Sequence, residues 1–248
     1  MNNLVSIVMP SFNSEKYILN SINSVIGQTY KNWELIVVDD CSTDGTFSLL
    51  QALAEKNPKI KIFQNKVNSG AGISRNKAIE YASGRFIAFL DSDDLWHPSK
   101  LERQISFMNI NGYSFTYTAY VKINNQGEET KKIIPPNEIC YNELLKSNVI
   151  GCLTAIYDVE KLGKIYMPNL RKRQDMALWL KILEVEPKAF CLNEILAYYR
   201  EGNESLSSNK FKMIFLQLKF YRNYLKLNWC QVLYYFTFYV IRALRKHH

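Results

Sequence analysis

The sequence predicts an α/β fold, a mostly parallel sheet flanked by helices with a helical C-terminal extension, on three observations. Short β-branched apolar runs alternate with helical periodicity over the first 97 residues, three of the runs are apolar on both faces, and polar residues gather at their C-terminal ends. Strands that alternate with helices need crossover connections and pair in parallel; strands apolar on both faces belong in a sheet covered on both sides.

Residues 4–9 form a buried strand that ends in the turn Pro10-Ser11-Phe12-Asn13. Across 14–26, Tyr17, Ile18, Ile22, Val25 and Ile26 recur at helical spacing, Asn13 or Ser14 supplies the cap, and Gly27 is the stop. The pattern repeats with strands over 33–38, 60–63 and 86–90 and helices over 43–54 and 73–82. Beyond residue 97 the rhythm loosens into a helix over 98–108, a strand over 115–122, an exposed loop or hairpin tip over 124–132, a helix near 174–183 and two helices across 207–245. No linker or internal repeat interrupts the chain.

The 248 residues, 47% hydrophobic and 22% charged with 10 Gly and 7 Pro, exclude disorder and low complexity. Five cysteines, odd in number and without a C-x-x-C pair, suggest neither a disulfide framework nor a zinc ribbon and point to a reducing compartment. Met1-Asn2-Asn3 brings no positive side chain and the apolar run after it ends at Pro10, too short for a secretion signal, so a cytoplasmic location is expected. His97 is the only internal histidine beside the terminal His247 and His248, which argues against a histidine-rich metal site. The net charge of +8 is uneven: residues 1–110 carry 11 basic and 11 acidic side chains, 111–200 carry 12 and 10, and 201–248 carry 8 and 2.

Two acidic groups sit at predicted strand ends, Asp39-Asp40 and Asp91-Ser92-Asp93-Asp94, and Asp175 follows the basic run Arg171-Lys172-Arg173. Either group alone is compatible with turns and helix caps. Both at the ends of buried strands in one domain point to a ligand, because massed carboxylates repel unless a cation or donors neutralise them. Hard oxygens of this kind suit Mg²⁺ or Mn²⁺ carrying a diphosphate. Ser69-Gly70-Ala71-Gly72-Ile73-Ser74-Arg75 begins like a dinucleotide fingerprint, but its third glycine is replaced and it follows the third strand, so NAD is not expected.

Val5-Ser6-Ile7-Val8-Met9-Pro10-Ser11-Phe12-Asn13, Gln28-Thr29-Tyr30, the run from Trp33 through Asp39-Asp40-Cys41-Ser42-Thr43-Asp44-Gly45 to Thr46, Arg75-Asn76 and Leu90-Asp91-Ser92-Asp93-Asp94 resemble, in order and spacing, the family 2 glycosyltransferases with the Rossmann-like GT-A fold. The resemblance covers roughly residues 4–200 and is to the bacterial surface-polysaccharide type. It implies that Pro10 and Phe12 pack on the nucleotide base and that Asp40 accepts from the uracil N–H. Asp91, with Ser92 beside it, reaches the ribose and neighbours the metal, and Asp93 is the principal ligand of Mn²⁺ or Mg²⁺. Asp94 supports that site or caps the following helix. Arg75 either binds phosphate or pairs with the acidic cluster.

Gln174-Asp175-Met176-Ala177-Leu178-Trp179-Leu180 resembles the family's E-D-x-x-L-W block, in which the Asp is the general base for a weakly acidic sugar hydroxyl; Asp175 is also placed to meet a helix macrodipole. Gln174 stands for the usual Glu, Ala177 for a frequent Asp and Cys41 for a frequent Gly. The segments 151–155 and 199–207 resemble the family's acceptor-side strand and its Y-R-x-x-x-x-S-x-S element. No Gln-x-x-Arg-Trp motif or multi-span region is present, so a processive synthase is not expected.

The implied organisation is a catalytic domain over 1–206, with nucleotide-sugar binding about 1–97 and the acceptor side about 98–206, and a basic aromatic extension over 207–248. The longest uncharged run of the extension, 227–241, contains Asn228 and Gln231 and is short for a membrane span. Its helices either lie on an anionic bilayer surface or pack as a hairpin on the domain. Nucleic acid is not an expected partner, since the basic excess accompanies apolar surface.

The expected activity is inverting, non-processive transfer of a hexose from a UDP-sugar to a sugar acceptor, lipid-diphosphate-linked, in O-antigen or capsule biosynthesis at the inner face of the cell membrane. The alternatives are a catalytically degenerate transferase serving as a membrane-associated assembly partner and a nucleotidyltransferase. The latter needs a Gly-rich basic phosphate loop where Pro10 to Asn13 stand.

Overall fold

In the computed structural model, residues 3–201 and 210–245 are described. Strands and helices alternate at the start: β1 (Val5–Ser11), α1 (Ile18–Ile26), β2 (Trp33–Asp39), α2 (Thr46–Lys56), β3 (Ile60–Gln64), α3 (Ala71–Tyr81) and β4 (Phe86–Phe89). β1 pairs in parallel with β2 and β4, and β2 with β3. Every residue of β1, β2 and β4 is buried, because side chains alternate between two covered faces. Val8, Ile36, Val38 and Phe89 pack with Ile79 and Trp179 on one face; Ile7, Met9, Leu35, Val37 and Ala88 pack with Ile18, Ile22 and Val25 of α1 on the other.

The second half contributes β5 (Leu95–Trp96), α4 (Lys100–Asn111), β6 (Phe115–Ile123), β7 (Glu129–Ile133), β8 (Glu138–Ile139), α5 (Tyr141–Lys146), β9 (Ile156–Asp158), α6 (Val159–Leu162), α7 (Gln174–Val185) and β10 (Ala189–Arg200). The sheet runs β3-β2-β1-β4-β9-β6-β10-β5, with β7 on β6 and β8 on β10. Its long pairings are parallel. The antiparallel ones are short, and β9 is a three-residue wedge between β4 and β6.

Two local expectations are corrected, and one strand has no counterpart in the sequence reading. Neither Asn13 nor Ser14 caps α1 through its side chain: the Ser14 carbonyl accepts from the Tyr17 and Ile18 amides, and the helix starts at Ile18. Residues 151–155 are not a strand, since Thr154 turns back onto the Gly151 carbonyl through its amide (2.9 Å) and hydroxyl (2.7 Å), which closes a 3₁₀ turn over Cys152–Thr154. β10, 12 residues long, has no clean alternation to announce it, because its pairing with β6 shifts register twice, between Leu192 and Ile195 and between Ile195 and Tyr198.

At the opposite end of the sheet from its C-terminal strand edge, Glu34 accepts from Ser6 Oγ (2.5 Å) and from the Ser83 amide (2.8 Å), and pairs with Lys61 (2.7 Å). Burial opposes its charge, but these partners hold the carboxyl below the ordinary range. Gly84 closes this network, because a Cβ there would lie 2.5 Å from the Leu4 carbonyl oxygen and 2.8 Å from the Ser6 amide.

α8 (Lys210–Lys219), a π-helical turn (Phe220–Tyr224) and α9 (Trp229–Arg245) follow. Phe220, Tyr221 and Val232 are buried in the core shared with Leu144, Leu145 and Trp179, and the Tyr221 hydroxyl donates to the Leu145 carbonyl (2.5 Å). The extension therefore packs on the α/β body of the chain, while Trp229, Leu233, Tyr234 and Ile241 stay exposed on α9. No helix among the described residues is long and apolar enough to cross a membrane. Residues 202–207 of the 199–207 segment, and His247 and His248, lie outside the described residues.

Beneath the 3₁₀ turn, the buried Lys100 amine donates to Gln104 Oε1 (2.7 Å) and lies 4.5 Å from the Trp96 ring centre; the Gln104 amide holds the Thr154 carbonyl (3.0 Å) and Thr116 Oγ1 (3.1 Å). Burial pushes this amine down to about 7 from the ordinary 10.5. Between those values the unfolded chain holds the extra proton, so stability rises with pH across the window, and below about 7 the full cost of charging the buried amine is present. The expected slope from this one group is up to about 1.4 kcal/mol per pH unit. Lys100→Met should flatten the rise in urea midpoint between roughly pH 7.5 and 9.5; an unchanged slope would contradict the assignment.

Candidate active site

A cavity of about 1050 Å³ opens at the C-terminal ends of β1 and β4, where open α/β sheets bind ligands. Phe12, Arg75, Asp91, Ser92, Asp93 and Asp175 all line it, although they come from four separate segments of the chain. Pro10 and Asp40 do not. Pro10 is buried in β1 opposite Val38, and the Asp40 amide is held by the Ser11 carbonyl (2.7 Å) one strand away.

Asp40 is nonetheless an organised acceptor. Its Oδ1 receives Asn65 Nδ2 (2.8 Å) and the Ser69 amide (2.9 Å), and its Oδ2 receives the Gly70 amide (2.6 Å). Gly70 adopts φ +90°, a conformation that favours glycine, and this aims its N–H at the carboxylate. An ionised carboxylate offers about four acceptor positions, so one position on Oδ2 remains. The Gly-rich segment thus directs its amides at Asp40 rather than at a dinucleotide. Phe12 is 46% exposed, an aromatic face beside the cavity.

The acidic loop after β4 is held from three directions. Arg75, buried on α3, donates to Asp91 Oδ1 (2.5 Å). Burial works against the charge of Arg75, but Asp91 and Asp175 keep the guanidinium protonated above its ordinary range; its Nε has no partner. Ser92 shares a hydrogen bond with Ser14 Oγ (2.7 Å), and its carbonyl accepts from Ser21 Oγ (2.8 Å). Arg200, at the end of β10, donates its backbone N–H to Asp94 Oδ1 (2.8 Å), Nε to the Asp93 carbonyl (3.0 Å) and a terminal nitrogen to the Asn124 carbonyl (3.1 Å), and its guanidinium lies 4.6 Å from the Tyr17 ring centre. Asp94 therefore does not cap the following helix, which Ser99 precedes; its Oδ1 ties the loop to β10 while the residue lines the same cavity.

Although Asp93 still reaches solvent, desolvation at the cavity wall, and then the neighbouring Asp91 charge, pushes its carboxyl up to about 6. A carboxylate in that state gains from a cation. Among the described residues no three His, Cys, Asp or Glu side chains form a ready-made cage. The pair Asp91 and Asp93 fits a hard divalent ion that takes one or two carboxylates and completes its shell with phosphate oxygens and water.

Asp175 stands in the first turn of α7, where the macrodipole favours negative charge, and its Oδ2 accepts from Asn148 Nδ2 (3.0 Å). Beside it, the hydrogen-bond network orients the Gln174 amide so that its oxygen accepts from the Gly72 amide (3.1 Å) while its nitrogen donates to the Leu170 (2.7 Å) and Arg171 (3.2 Å) carbonyls. A glutamate has no N–H to give, so this packing of α7 against α3 accounts for the glutamine. Asn148 and Tyr120 also line the cavity, and no residue pattern singles them out. Tyr199-Arg200 is visible in the sequence as a motif fragment, whereas Asn148 lies in a stretch without periodicity.

In ion-free protein the Asp93 carboxyl is expected to titrate near 6 by carbon-detected NMR, and Asp91→Asn to lower that midpoint by removing the adjacent negative charge. An unmoved midpoint in the variant would refute the coupling.

The model of glycosyl transferase family 2 matches residues 6–163. The chain is 44% identical over 237 residues to a putative teichuronic acid biosynthesis glycosyltransferase, TuaG, of Bacillus subtilis (93% of this chain, 94% of that protein). It is 44% identical over 245 residues to the UDP-Glc:alpha-D-GlcNAc-diphosphoundecaprenol beta-1,3-glucosyltransferase WfgD of Escherichia coli (98% and 95%). Among solved structures, S. aureus TarS 1–349 in complex with UDP superposes with a TM-score of 0.70 at 25% identity, covering 95% of this chain and 70% of that one. The sheet with its flanking and C-terminal helices is the GT-A architecture, and by the family match and these two relatives the chain belongs to glycosyl transferase family 2.

Proposed function

We propose that the protein transfers a hexose from a UDP-sugar to a sugar carried on a lipid diphosphate, with inversion at the anomeric carbon, in bacterial surface-polysaccharide assembly of the O-antigen or capsule kind. One observation carries this reading: Asp175 and the Asp91–Asp93 pair, far apart in sequence, line one cavity with the buried Arg75 between their charges. The names of the E. coli relative and of the S. aureus neighbour support a UDP-linked donor. The β linkage named for the E. coli relative supports inversion, since UDP-glucose is α-linked.

Asp40, through its remaining acceptor position, takes the uracil N–H, and Pro10 and Phe12 support the base. Asp91 and Ser92 meet the ribose, and Asp93 with Asp91 holds Mn²⁺ or Mg²⁺. The cation, when bound, supplies positive charge to the departing diphosphate. Arg75 adds a fixed cation on the same side. Asp175, oriented by Asn148, accepts the proton of the acceptor hydroxyl as that oxygen attacks from the face opposite the diphosphate. Residues 1–97 thus serve the donor and 98–206 the acceptor. The exposed Trp229, Leu233, Tyr234 and Ile241 of α9, in the most basic part of the chain, rest on the anionic inner face of the cell membrane, where the lipid-linked acceptor resides.

The test is UDP release from a panel of UDP-sugars with Mn²⁺ or Mg²⁺, with and without a synthetic sugar-diphosphate-lipid. Acceptor-dependent turnover is expected, with Asp175→Asn lower by about a hundredfold to ten-thousandfold, the range for a lost general base. Asp93→Ala should be comparably impaired. Turnover untouched by both changes would sink the assignment. Leu233→Ser with Tyr234→Ser should reduce sedimentation with phosphatidylglycerol vesicles; equal sedimentation would remove α9 from the membrane contact.

A further inference from the structure

The cavity carries cations that the donor side does not account for. Arg75 and Arg200 are engaged with the acidic loop. Arg171, Lys172 and Arg173 line the same cavity on the opposite flank, immediately ahead of Asp175, and neither Arg171 nor Arg173 forms an ion pair among the described residues. Resting on the transferase reading above, we propose that Arg171 and Arg173 bind the diphosphate that joins the acceptor sugar to its lipid.

Arg173 is built for a ligand rather than left loose. Its backbone is held at φ +66°, a left-handed conformation that is unfavourable for a non-glycine residue and persists where the surrounding structure imposes it. The guanidinium is held from the C-terminal extension: a terminal nitrogen of Arg173 donates to the Tyr239 hydroxyl (2.7 Å), and the group lies 5.5 Å from the Tyr239 ring centre. With the side chain fixed this way, its Nε is buried without an acceptor, a state that calls for a missing partner. Guanidinium groups present forked donors that match phosphate oxygens, and two of them two residues apart suit a diphosphate better than a single phosphate.

Position selects the acceptor's diphosphate over the donor's. The donor's leaving group belongs beside Asp91, Asp93 and Arg75 at the end of β4. Asp175 reaches the attacking hydroxyl, and only one sugar ring separates that hydroxyl from the acceptor's own diphosphate, so the group falls near the loop that precedes Asp175. Tyr239 lies on α9, the helix that also exposes Trp229, Leu233 and Tyr234, so the residue that orients Arg173 sits on the same helix as the apolar side chains a lipid tail would meet.

The phosphate oxygens that Arg171 and Arg173 recognise have two sources, the acceptor and anionic lipid headgroups, and the experiment separates them. The full chain is assayed with two acceptors bearing the same sugar and alkyl chain, one joined through a diphosphate and one as a plain alkyl glycoside. The diphosphate compound is also titrated calorimetrically without a sugar donor. Wild type should prefer the diphosphate acceptor. Arg171→Ala with Arg173→Gln should reduce that preference, measured as the ratio of kcat/KM, by about tenfold or more through KM, and weaken calorimetric binding equally, the scale of a lost charge-assisted hydrogen bond. Tyr239→Phe, a milder change that keeps the helix packed, should lower the same ratio about threefold, less than a full charged hydrogen bond.

An unchanged ratio in the double variant overturns the site. So does loss of phosphatidylglycerol-vesicle binding with the ratio intact, which would assign the arginines to the bilayer. If wild type transfers to neither acceptor while the two arginines still govern diphosphate binding, the transferase reading fails and the site stands.

Discussion

Three carboxylates within four residues, Asp91, Asp93 and Asp94, leave β4 for a loop at the cavity wall, with Asp94 buried and Asp93 open to solvent, and the need to hold that charge in place governs how the second half of the chain is arranged around the first. Charge concentrated this way drives each carboxyl toward its protonated form unless counter-charges and donors are fixed nearby. They come from remote positions: Arg75 from α3, Ser14 and Ser21 from the start of the chain, and Arg200 from the far end of β10. Arg200 reaches the loop only because β10 runs parallel to β6 and delivers its last residue to the same edge of the sheet as β4. The incomplete neutralisation left at Asp93 is what suits that residue to a cation and a diphosphate.

The opposite flank of the cavity is organised by a different logic. Asp175 needs only one neighbour, Asn148, and a helix N-terminus to fix its orientation. The loop before it is locked by Gln174 against α3 and by Tyr239 from α9. Because Tyr221 and Val232 are buried in the same core as Trp179 of α7, the extension and the helix that carries Asp175 are one packed unit. A contact made through α9 is therefore mechanically continuous with the helix that carries Asp175, and the proposed function draws on that continuity.

Legibility in the sequence follows from the range of the interactions that decide each element. The strands and helices up to β4 are legible because each strand is a contiguous apolar run and each helix carries its apolar spacing within a single segment. The end residues shift by a few positions, as with α1, whose start is set by the Ser14 carbonyl rather than by a side-chain cap. β10 is hidden by its two register shifts, which break the alternation, and β5, β8 and β9 are too short to carry a period. The turn at 152–154 looks like a strand by resemblance alone, and only the Thr154 bonds to Gly151 and the support from Gln104 make it a turn.

By itself the sequence determined the α/β class and the two acidic strand ends, since residue type and local periodicity are properties of contiguous stretches; Asp175 was singled out by motif resemblance. Tertiary structure alone decided that Phe12, Arg75, Asp91, Ser92, Asp93 and Asp175 share one cavity while Pro10 and Asp40 stand behind it. It also decided that Arg75 pairs with Asp91, that Asp94 belongs to Arg200, and that Arg173 is held from α9. The three pairings join groups 16 to 106 residues apart, and which distant donor reaches which acceptor is set by the strand order and packing of the finished sheet, not by anything the intervening residues encode locally.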